Sequence, residues 1–140
     1  MNITNMGKID IRDLRVGDWI YHKDCPIPLQ VSGVKDNEVY LKHSFEHNRT
    51  IGFIRKDRPS VCSIDEIRPI PLTEKILEKN GFVYDDLPMS QYFEQYGLQL
   101  YYGGNGFRIN CGVNSSLVID SVHQLQNILR DTGIEKEITI

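Results

Sequence analysis

The stretch Asp120-Ser-Val-His-Gln-Leu-Gln-Asn-Ile-Leu-Arg-Asp-Thr-Gly133 decides the fold of the second half of the chain. Ser121 and Gln124 have the spacing of a capping box, and Gly133 can supply the left-handed residue that ends a helix. The apolar residues recur at helical spacing and form one stripe, made of Val122, Leu125, Ile128 and Leu129. The pattern predicts an amphipathic helix over 121–132, which the strand-like segments before it need as a cover for their apolar face.

A second helix is predicted earlier in this half. Two prolines in Pro69-Ile-Pro-Leu-Thr73 force extended backbone, and Thr73 can cap a helix that ends at Gly81. Leu72 before the cap and Leu77 inside it can form a hydrophobic staple. We expect this helix over 73–80.

Strand signals surround the two helices. Leu98–Tyr102 and Gly106–Cys111 flank Gly103-Gly-Asn105, so a hairpin is expected over 98–111. The alternation in Glu137-Ile-Thr-Ile140 predicts a terminal strand over 137–140. Residues 69–140 are therefore expected to form an α+β half with an antiparallel sheet and two helices.

The first 68 residues predict an SH3-like or small β-barrel half. Short strand-like segments follow one another there: Trp19–Tyr21, Leu29–Val34, Glu38–Lys42, Thr50–Ile54 and Val61–Ile64. Lys35-Asp-Asn37 reads as a hairpin turn, and Cys25-Pro-Ile-Pro28 as a loop because proline cannot donate in a central strand. The order is similar to that of SH3-like barrels, whose opening strand often follows a Leu-x-x-Gly-Asp step such as Leu14–Asp18.

Charge and composition limit the function classes. Residues 1–68 carry 11 Lys and Arg against 10 Asp and Glu, a net of +1, whereas residues 69–140 carry 5 against 9, a net of −4. Neither value fits a protein that coats nucleic acid broadly. No apolar run reaches the ~20 residues of a membrane helix, and the first ten residues lack the apolar core of a signal peptide. We expect a cytoplasmic protein with no membrane partner and three reduced cysteines.

A resemblance adds to this interpretation. It rests on Pro69-Ile-Pro-Leu-Thr73, Asn80-Gly-Phe82, Val122-His-Gln-Leu-Gln-Asn127 and Thr132-Gly133. With these blocks the chain resembles a group of small uncharacterised proteins of phages and mobile elements from Bacteroides-type gut bacteria. The resemblance spans most of the chain and implies an α+β fold and a phage or mobile-element origin. It implies no activity, cofactor or catalytic residue, although phage accessory proteins of this size are more often binders than enzymes.

One basic segment is the candidate contact surface. It contains Arg49, Arg55, Lys56 and Arg58, and aromatic residues are interleaved with it. Such a segment can bind phosphate groups or acidic protein surfaces, or it can be a solvated loop that protects a sheet edge. A second concentration holds aromatic side chains, namely Tyr92, Phe93, Tyr96, Tyr101 and Tyr102. We expect the basic segment, with Tyr101 and Tyr102, to contact a ligand or partner.

Two other patterns are candidates for catalysis. His43-Ser-Phe-Glu-His47 matches H-x-x-E-H, in which His43 and His47 would bind a metal ion and Glu46 would be the general base. The segment lacks the apolar stripe of a buried helix, so a polar surface loop is the alternative. Cys25, Cys62 or Cys111 could be a nucleophile beside His22 or His123, although a buried apolar thiol is the commoner state.

Together these observations predict a non-enzymatic binding protein without a cofactor. It would hold a host protein or a small anionic, nucleotide-like ligand, and it would form a homo-oligomer. By analogy with phage accessory proteins, the resemblance points to a counter-defence role. The first alternative is a nucleic-acid-associated module that uses the N-terminal barrel. The second is a metal-dependent hydrolase built on His43, Glu46 and His47.

Overall fold

The computed structural model describes residues 7–23, 25–42, 60–86, 92–103, 106–110 and 117–140. They form two compact units, Met1–Ile70 and Pro71–Ile140. Each unit contains a five-stranded antiparallel sheet, and the second unit also contains two α-helices, an arrangement compatible with the α+β class. Across these ranges, no helix is long and apolar enough to cross a membrane.

The sheet of the first unit has the strand order β4-β3-β2-β1-β5. The strands are β1 (Trp19–His22), β2 (Cys25–Lys35), β3 (Glu38–Leu41), β4 (Ser60–Ser63) and β5 (Ile67–Pro69). A 3₁₀ turn at Ile64–Glu66 separates β4 from β5. The strands predicted at 19–21, 29–34, 38–42 and 61–64 are confirmed, and the strand predicted at 50–54 lies outside the described residues. The order has β4 and β5 at its two ends, so the described residues form no closed barrel, and the SH3-like half stays a prediction.

Strand β2 is longer than the sequence predicted. Cys25-Pro-Ile-Pro28, which we expected as a loop, belongs to β2. Along the described ladders, the first part of β2 pairs with β1 and the later part, from Val31, with β3. The prolines therefore lie in a part of the strand that needs hydrogen bonds on one side only, where proline is tolerated. A register shift between Val31 and Gly33 marks the change of partner.

The core of the first unit lies between these strands. It consists of buried residues from every strand and from the segment before β1, namely Ile9, Leu14, Ile20, Leu29, Val31, Val39, Leu41, Cys62 and Ile67. Two tight turns hold the strands in register. A buried Asp18 carboxylate accepts a 2.9 Å hydrogen bond from the Arg15 amide beside Gly17, whose φ is 93°. Asp36, with φ 55°, forms the turn between β2 and β3 as the sequence predicted.

A buried histidine and a carboxylate lie together in this unit. His22 of β1 is 3% exposed, and its Nε2 is 3.1 Å from Oε2 of Glu66. The other carboxylate oxygen of Glu66 accepts a 3.0 Å bond from the backbone amide of Ser63. That amide bond first, and His22 second, lower the pKa of Glu66. The pair therefore links the 3₁₀ turn to β1.

We expect the first unit to lose stability in acid because of Glu66. Its pKa is lower in the folded chain than in the unfolded chain, so its stabilising contribution is complete above the unfolded pKa of about 4.3 and is lost as pH falls through the folded value. Denaturation midpoints between neutral pH and strong acid, followed through the single tryptophan, Trp19, should fall less steeply in Glu66→Gln than in the wild type. Glu38→Gln, at an exposed position, is the control. Identical dependence of stability on pH in the wild type and in Glu66→Gln would show that Glu66 does not cause the loss of stability in acid.

The sheet of the second unit has the order β10-β9-β8-β7-β6. The strands are β6 (Val83–Asp85), β7 (Tyr92–Gln95), β8 (Leu98–Gly103), β9 (Gly106–Asn110) and β10 (Leu117–Ile119). The hairpin of β8 and β9 runs from Leu98 to Asn110 and closes at the Gly103–Gly106 pair, as predicted. Residues that face each other across the ladders share one side of the sheet, so the register defines two faces.

One face of this sheet forms the core. Its buried residues are Phe93, Leu98, Leu100, Phe107, Ile109 and Ile119. The helices α1 (Glu74–Lys79) and α2 (Val122–Asp131) cover this face with their own buried side chains, Leu77, Val122, Leu125 and Leu129. Tyr102 of this face donates a hydrogen bond to the Glu74 carboxylate, which places the start of α1 on the same side. We call this side the helix-covered face.

Both helices begin and end where the sequence signals predicted. The Thr73 hydroxyl accepts a 3.3 Å bond from the Ile76 amide at the start of α1, and Gly81, with φ 89°, follows its end. At the start of α2 the Gln124 side chain accepts bonds from the amides of Asp120 and Ser121. Gly133, with φ 78°, lies beyond its end.

The predicted terminal strand over 137–140 is wrong. Residues 134–140 are neither helix nor strand. The side chain of Asn80 holds them instead: its Oδ1 accepts a 2.7 Å bond from the Thr139 amide, and its Nδ2 donates a 2.8 Å bond to the Thr139 carbonyl. Ile138 is buried beside this contact. An alternating pattern cannot distinguish a strand from a tail whose backbone hydrogen-bonds to a side chain.

Candidate binding surface

The second face of the sheet in the second unit is exposed to solvent in large part. We call it the open face. The register aligns one residue from each strand in a single row across it: Asp85, Tyr92, Tyr101, Arg108 and Val118. Asp85, Tyr92 and Tyr101 are half-buried, whereas Arg108 and Val118 are exposed. The buried apolar side chains of this sheet lie on the helix-covered face, so the open face does not contribute to the core.

The centre of this row is a stack of two rings and a guanidinium. The ring centroids of Tyr92 and Tyr101 are 5.2 Å apart, and Cζ of Arg108 lies 5.7 Å from the centroid of Tyr101. We call these three residues the tyrosine–arginine row. Tilted aromatic pairs and cation–π contacts at such distances are attractive. The row therefore presents ordered, flat and partly apolar side chains to solvent.

Amide side chains lie beside the row. The Tyr101 hydroxyl donates a 3.2 Å bond to Oε1 of Gln99, and the same oxygen accepts a 3.2 Å bond from Nδ2 of Asn110. Gln99 and Asn110 face each other across β8 and β9 on the open face. These bonds hold the Tyr101 side chain, so it has already lost part of the side-chain entropy that the burial of a free tyrosine would cost.

Exposed valines flank the row on both edge strands. Val118 of β10 is 51% exposed and Val83 of β6 is 70% exposed. Both belong to the open face, since Val118 pairs with Arg108 and Val83 pairs with Glu94. Apolar side chains around ordered tyrosine and arginine side chains are typical of protein-binding surfaces.

Tyr101 and Tyr102 do not form one surface, contrary to our expectation. Successive residues of a strand point to opposite sides, so Tyr102 lies on the helix-covered face. Its ring packs near Phe93 and Phe107, with centroids 5.9 and 5.5 Å away. Desolvation, followed by the bond to Glu74, raises the pKa of Tyr102 to about 12. Tyr102 joins the sheet to α1, whereas Tyr101 belongs to the open face.

The basic segment lies outside the described residues. This holds for Arg49, Arg55, Lys56 and Arg58 and equally for the metal candidates His43, Glu46 and His47. Their expected roles stay predictions. In the ranges that the structure describes, no group of three or more metal-ligating side chains is placed to hold a metal ion.

Cys62 lacks the environment of an activated nucleophile. Its thiol is buried, and Sγ is 3.8 Å from the carbonyl oxygen of Val39. Burial first and the charge of Glu66 second raise the pKa of this thiol to about 12. The thiol is therefore protonated at neutral pH, and a protonated thiol is a poor nucleophile. Cys111 lies outside the described residues.

Our interpretation of the sequence missed Arg108. The signal was present, since the Gly103–Gly106 hairpin fixes the register of β8 on β9 and pairs Tyr101 with Arg108. Counting outward from that hairpin would have placed both residues on one face. The role of Tyr92 in the same row requires the pairing of β7 with β8, which closes at the two-residue turn Tyr96-Gly97, where both φ angles are positive (55° and 77°). Gly97 was the sequence signal for this turn, and our interpretation of the sequence did not use it.

The open face can bind a surface by burying flat aromatic area and pairing one guanidinium. Its described residues include no cysteine or histidine. A scan against protein-family models, a search of curated proteins and a search of solved structures found no match for this chain.

Proposed function

We propose that this chain is a non-enzymatic binding protein that holds a protein partner on the open face of its second unit. The tyrosine–arginine row carries the proposal. Tyrosine and arginine, together with tryptophan, are enriched among the side chains that dominate protein–protein affinity. Here they are stacked, Tyr101 is held by a hydrogen bond to Gln99, and the row is reached by solvent, with Arg108 exposed and both tyrosines half-buried.

Charge favours a protein over the other partners that the sequence predicted. The second unit carries a net charge of −4, which repels nucleotides and nucleic acid phosphates. A role in holding a host protein, on behalf of a phage or mobile element, agrees with the resemblance of the sequence to such proteins. The SH3-like arrangement of the first unit is part of the proposal. Its support is the long strand β2, which pairs with β1 and then with β3 and has a register shift where the partner changes, as bulged strands of small barrels do.

The test compares two double variants in affinity capture from a lysate of a Bacteroides-type bacterium. Tyr101→Ser with Arg108→Ser removes the centre of the row. Tyr40→Ser with Arg12→Ser removes the same residue types from the first unit and is the matched control. We expect one protein that the wild type and the control retain and that the open-face variant loses. The loss should be about 30-fold in affinity, the effect of removing a dominant contact.

Two results would contradict the proposal. One is a captured protein that the open-face variant retains as well as the wild type does. The other is binding of single-stranded RNA or DNA that weakens steeply with salt, which would favour the nucleic-acid alternative. Circular dichroism of both variants shows whether they are folded, so that a loss of binding is not confused with unfolding.

A further inference from the structure

The tail of the second unit, residues 134–140, is neither helix nor strand and is held by side chains of a distant segment. The side-chain amide of Asn80 exchanges two hydrogen bonds with the backbone of Thr139, at 2.7 Å through Oδ1 and 2.8 Å through Nδ2. Ile138, the residue before Thr139, is 3% exposed. We call Asn80 and Lys79, with the buried position that Ile138 fills, the tail site.

The tail site is ordered by bonds to its own unit. Asn80 is 5% exposed, and its Nδ2 also donates a 2.7 Å bond to the Ile76 carbonyl of α1. The backbone carbonyl of Asn80 accepts a 3.4 Å bond from the Tyr96 hydroxyl. The neighbouring Lys79 donates a 2.7 Å bond from Nζ to the Ile140 carbonyl. The site therefore presents donors and an acceptor in fixed positions to the backbone of a bound segment.

An empty tail site is unfavourable. Without the tail, the buried side chain of Asn80 would lose both bonds to Thr139, and a buried polar group left unpaired costs free energy. The apolar side chain of Ile138 would become exposed to water. A tail that leaves its site therefore has to be replaced by a segment of the same chemistry. The segment that the structure shows to fit is this tail, and every other copy of the chain carries it.

The tail leaves α2 through one glycine in a left-handed conformation. Gly133 is exposed and has φ 78°, and a Cβ there would meet nothing within 4 Å. A 2.8 Å bond from the Ile134 amide to the Leu129 carbonyl closes the turn. Because glycine adopts both signs of φ about equally well, a rotation at Gly133 redirects the tail without strain in the helix.

We propose that residues 134–140 are an exchangeable arm and that two copies form a dimer in which the tail of each occupies the tail site of the other. Such a dimer keeps every contact of the tail site and changes only the turn at Gly133, as in domain swapping. Reciprocal exchange closes the assembly at two copies. Seven residues span at most about 25 Å, so the ends of α2 in the two copies lie near each other.

This inference gives a structural form to the homo-oligomer that the sequence predicts. It is independent of the proposed function, because the tyrosine–arginine row is not part of the tail site. An exchanged dimer can therefore bind a partner on its open faces, and either proposal can fail without the other.

The first experiment measures the dimer dissociation constant of the full chain by sedimentation velocity. Gly133→Val places a β-branched residue at positive φ, a strain that an exchanged tail can relieve by a change of φ. The strain shifts the equilibrium by about tenfold at each turn, and a dimer relieves two turns, so we expect a dissociation constant about a hundredfold lower than in the wild type.

Gly97→Val is the matched control for the turn. Gly97 is also exposed, has φ 77°, and a Cβ there would meet nothing within 4 Å. It lies in the turn between β7 and β8, which does not direct the tail. Gly97→Val should therefore carry a similar strain and leave the dimer dissociation constant unchanged.

The second experiment mixes two variants of the Gly133→Val chain that break the contact from opposite sides. Asn80→Ala removes the site and keeps the tail, whereas Thr139→Pro removes the amide that donates to Asn80 and keeps the site. In a mixed dimer the intact tail of the first variant can occupy the intact site of the second. We expect a dimer in the mixture and monomers in each variant alone. If circular dichroism shows Asn80→Ala to be unfolded, Asn80→Asp replaces it, since it keeps the size of the side chain and loses the donor.

Four outcomes overturn the inference. Wild type and Gly133→Val that both remain monomers at millimolar concentration show that the tail is not exchanged. Equal dimerisation of Gly97→Val and Gly133→Val shows association caused by lost stability. A dimer of either Asn80→Ala or Thr139→Pro alone shows that another surface forms it. A mixture that stays monomeric shows that a second copy does not fill the site, and binding of a labelled peptide of residues 134–140 to the Thr139→Pro variant would then assign the site to a segment of another protein.

Discussion

Replacing Phe93 by alanine is expected to destabilise the second unit by about 3–5 kcal/mol, the usual cost of deleting a buried phenylalanine. Phe93 is 1% exposed, and its ring lies 4.8 Å from that of Tyr84 and 6.1 Å from that of Phe107, centroid to centroid. The truncation removes these contacts and leaves a cavity on the helix-covered face. Denaturant unfolding measured by circular dichroism, with hydrogen exchange of β7 and β8, tests the effect.

The neighbouring residue is the control for this prediction. Tyr92 precedes Phe93 in β7 but lies on the open face. Tyr92→Ala should cost less than about 1.5 kcal/mol, the order of an aromatic pair contact. It should weaken binding of the captured protein, which Phe93→Ala affects only through unfolding. Equal destabilisation by the two variants would show that the faces have been assigned incorrectly.

Gly106→Ala is expected to cost about 3 kcal/mol, the upper range for overpacking a site that cannot relax. A Cβ at Gly106 would lie 2.8 Å from the carbonyl carbon of Ile119 and 2.9 Å from Cα of Asp120, and closer still to the Ile119 oxygen. All three are backbone atoms, so β10 would have to move away from β9. The connection into α2 begins at the same residues, so hydrogen exchange should rise in both β10 and α2.

Gly103 offers a matched control in the same hairpin. It pairs with Gly106, but a Cβ there would approach nothing nearer than 3.4 Å, at Cβ of Arg108. Gly103→Ala should therefore shift the unfolding midpoint by much less than Gly106→Ala. If the two variants lose the same amount of stability, the loss is due to the conformational freedom of glycine in the hairpin and not to a clash with β10.

The parts of the fold that could be predicted from the sequence are those whose signals are local. The helix α2 has its stripe and its capping box within a few residues, and the hairpin of β8 and β9 has its glycines at the turn. The extent of β2 could not be predicted, because proline is acceptable only where one side of the strand needs no partner. The tail could not be predicted either, since its partner is the distant side chain of Asn80.

Of the candidate surface, too, only the part with a local signal could be predicted from the sequence. Tyr101 could be selected from the density of aromatic residues, but the density included Phe93 and Tyr102, which belong to the helix-covered face. Strand periodicity could separate Tyr101 from Tyr102, because successive residues of a strand point to opposite faces of the sheet. The pairing of β6 with β7, which brings Asp85 opposite Tyr92, depends on the tertiary fold and has no short sequence signal.

The two faces of this sheet also differ in how freely they can evolve. Core residues such as Phe93 and Leu100 are constrained by packing, so most replacements there reduce the amount of folded protein. Their neighbours Tyr92 and Tyr101 are less constrained, because they are half-buried on the open face and their replacement leaves no cavity in the core. The residues of the row can therefore change during evolution while the fold persists. Related chains should vary most at every second position of β7, β8 and β9.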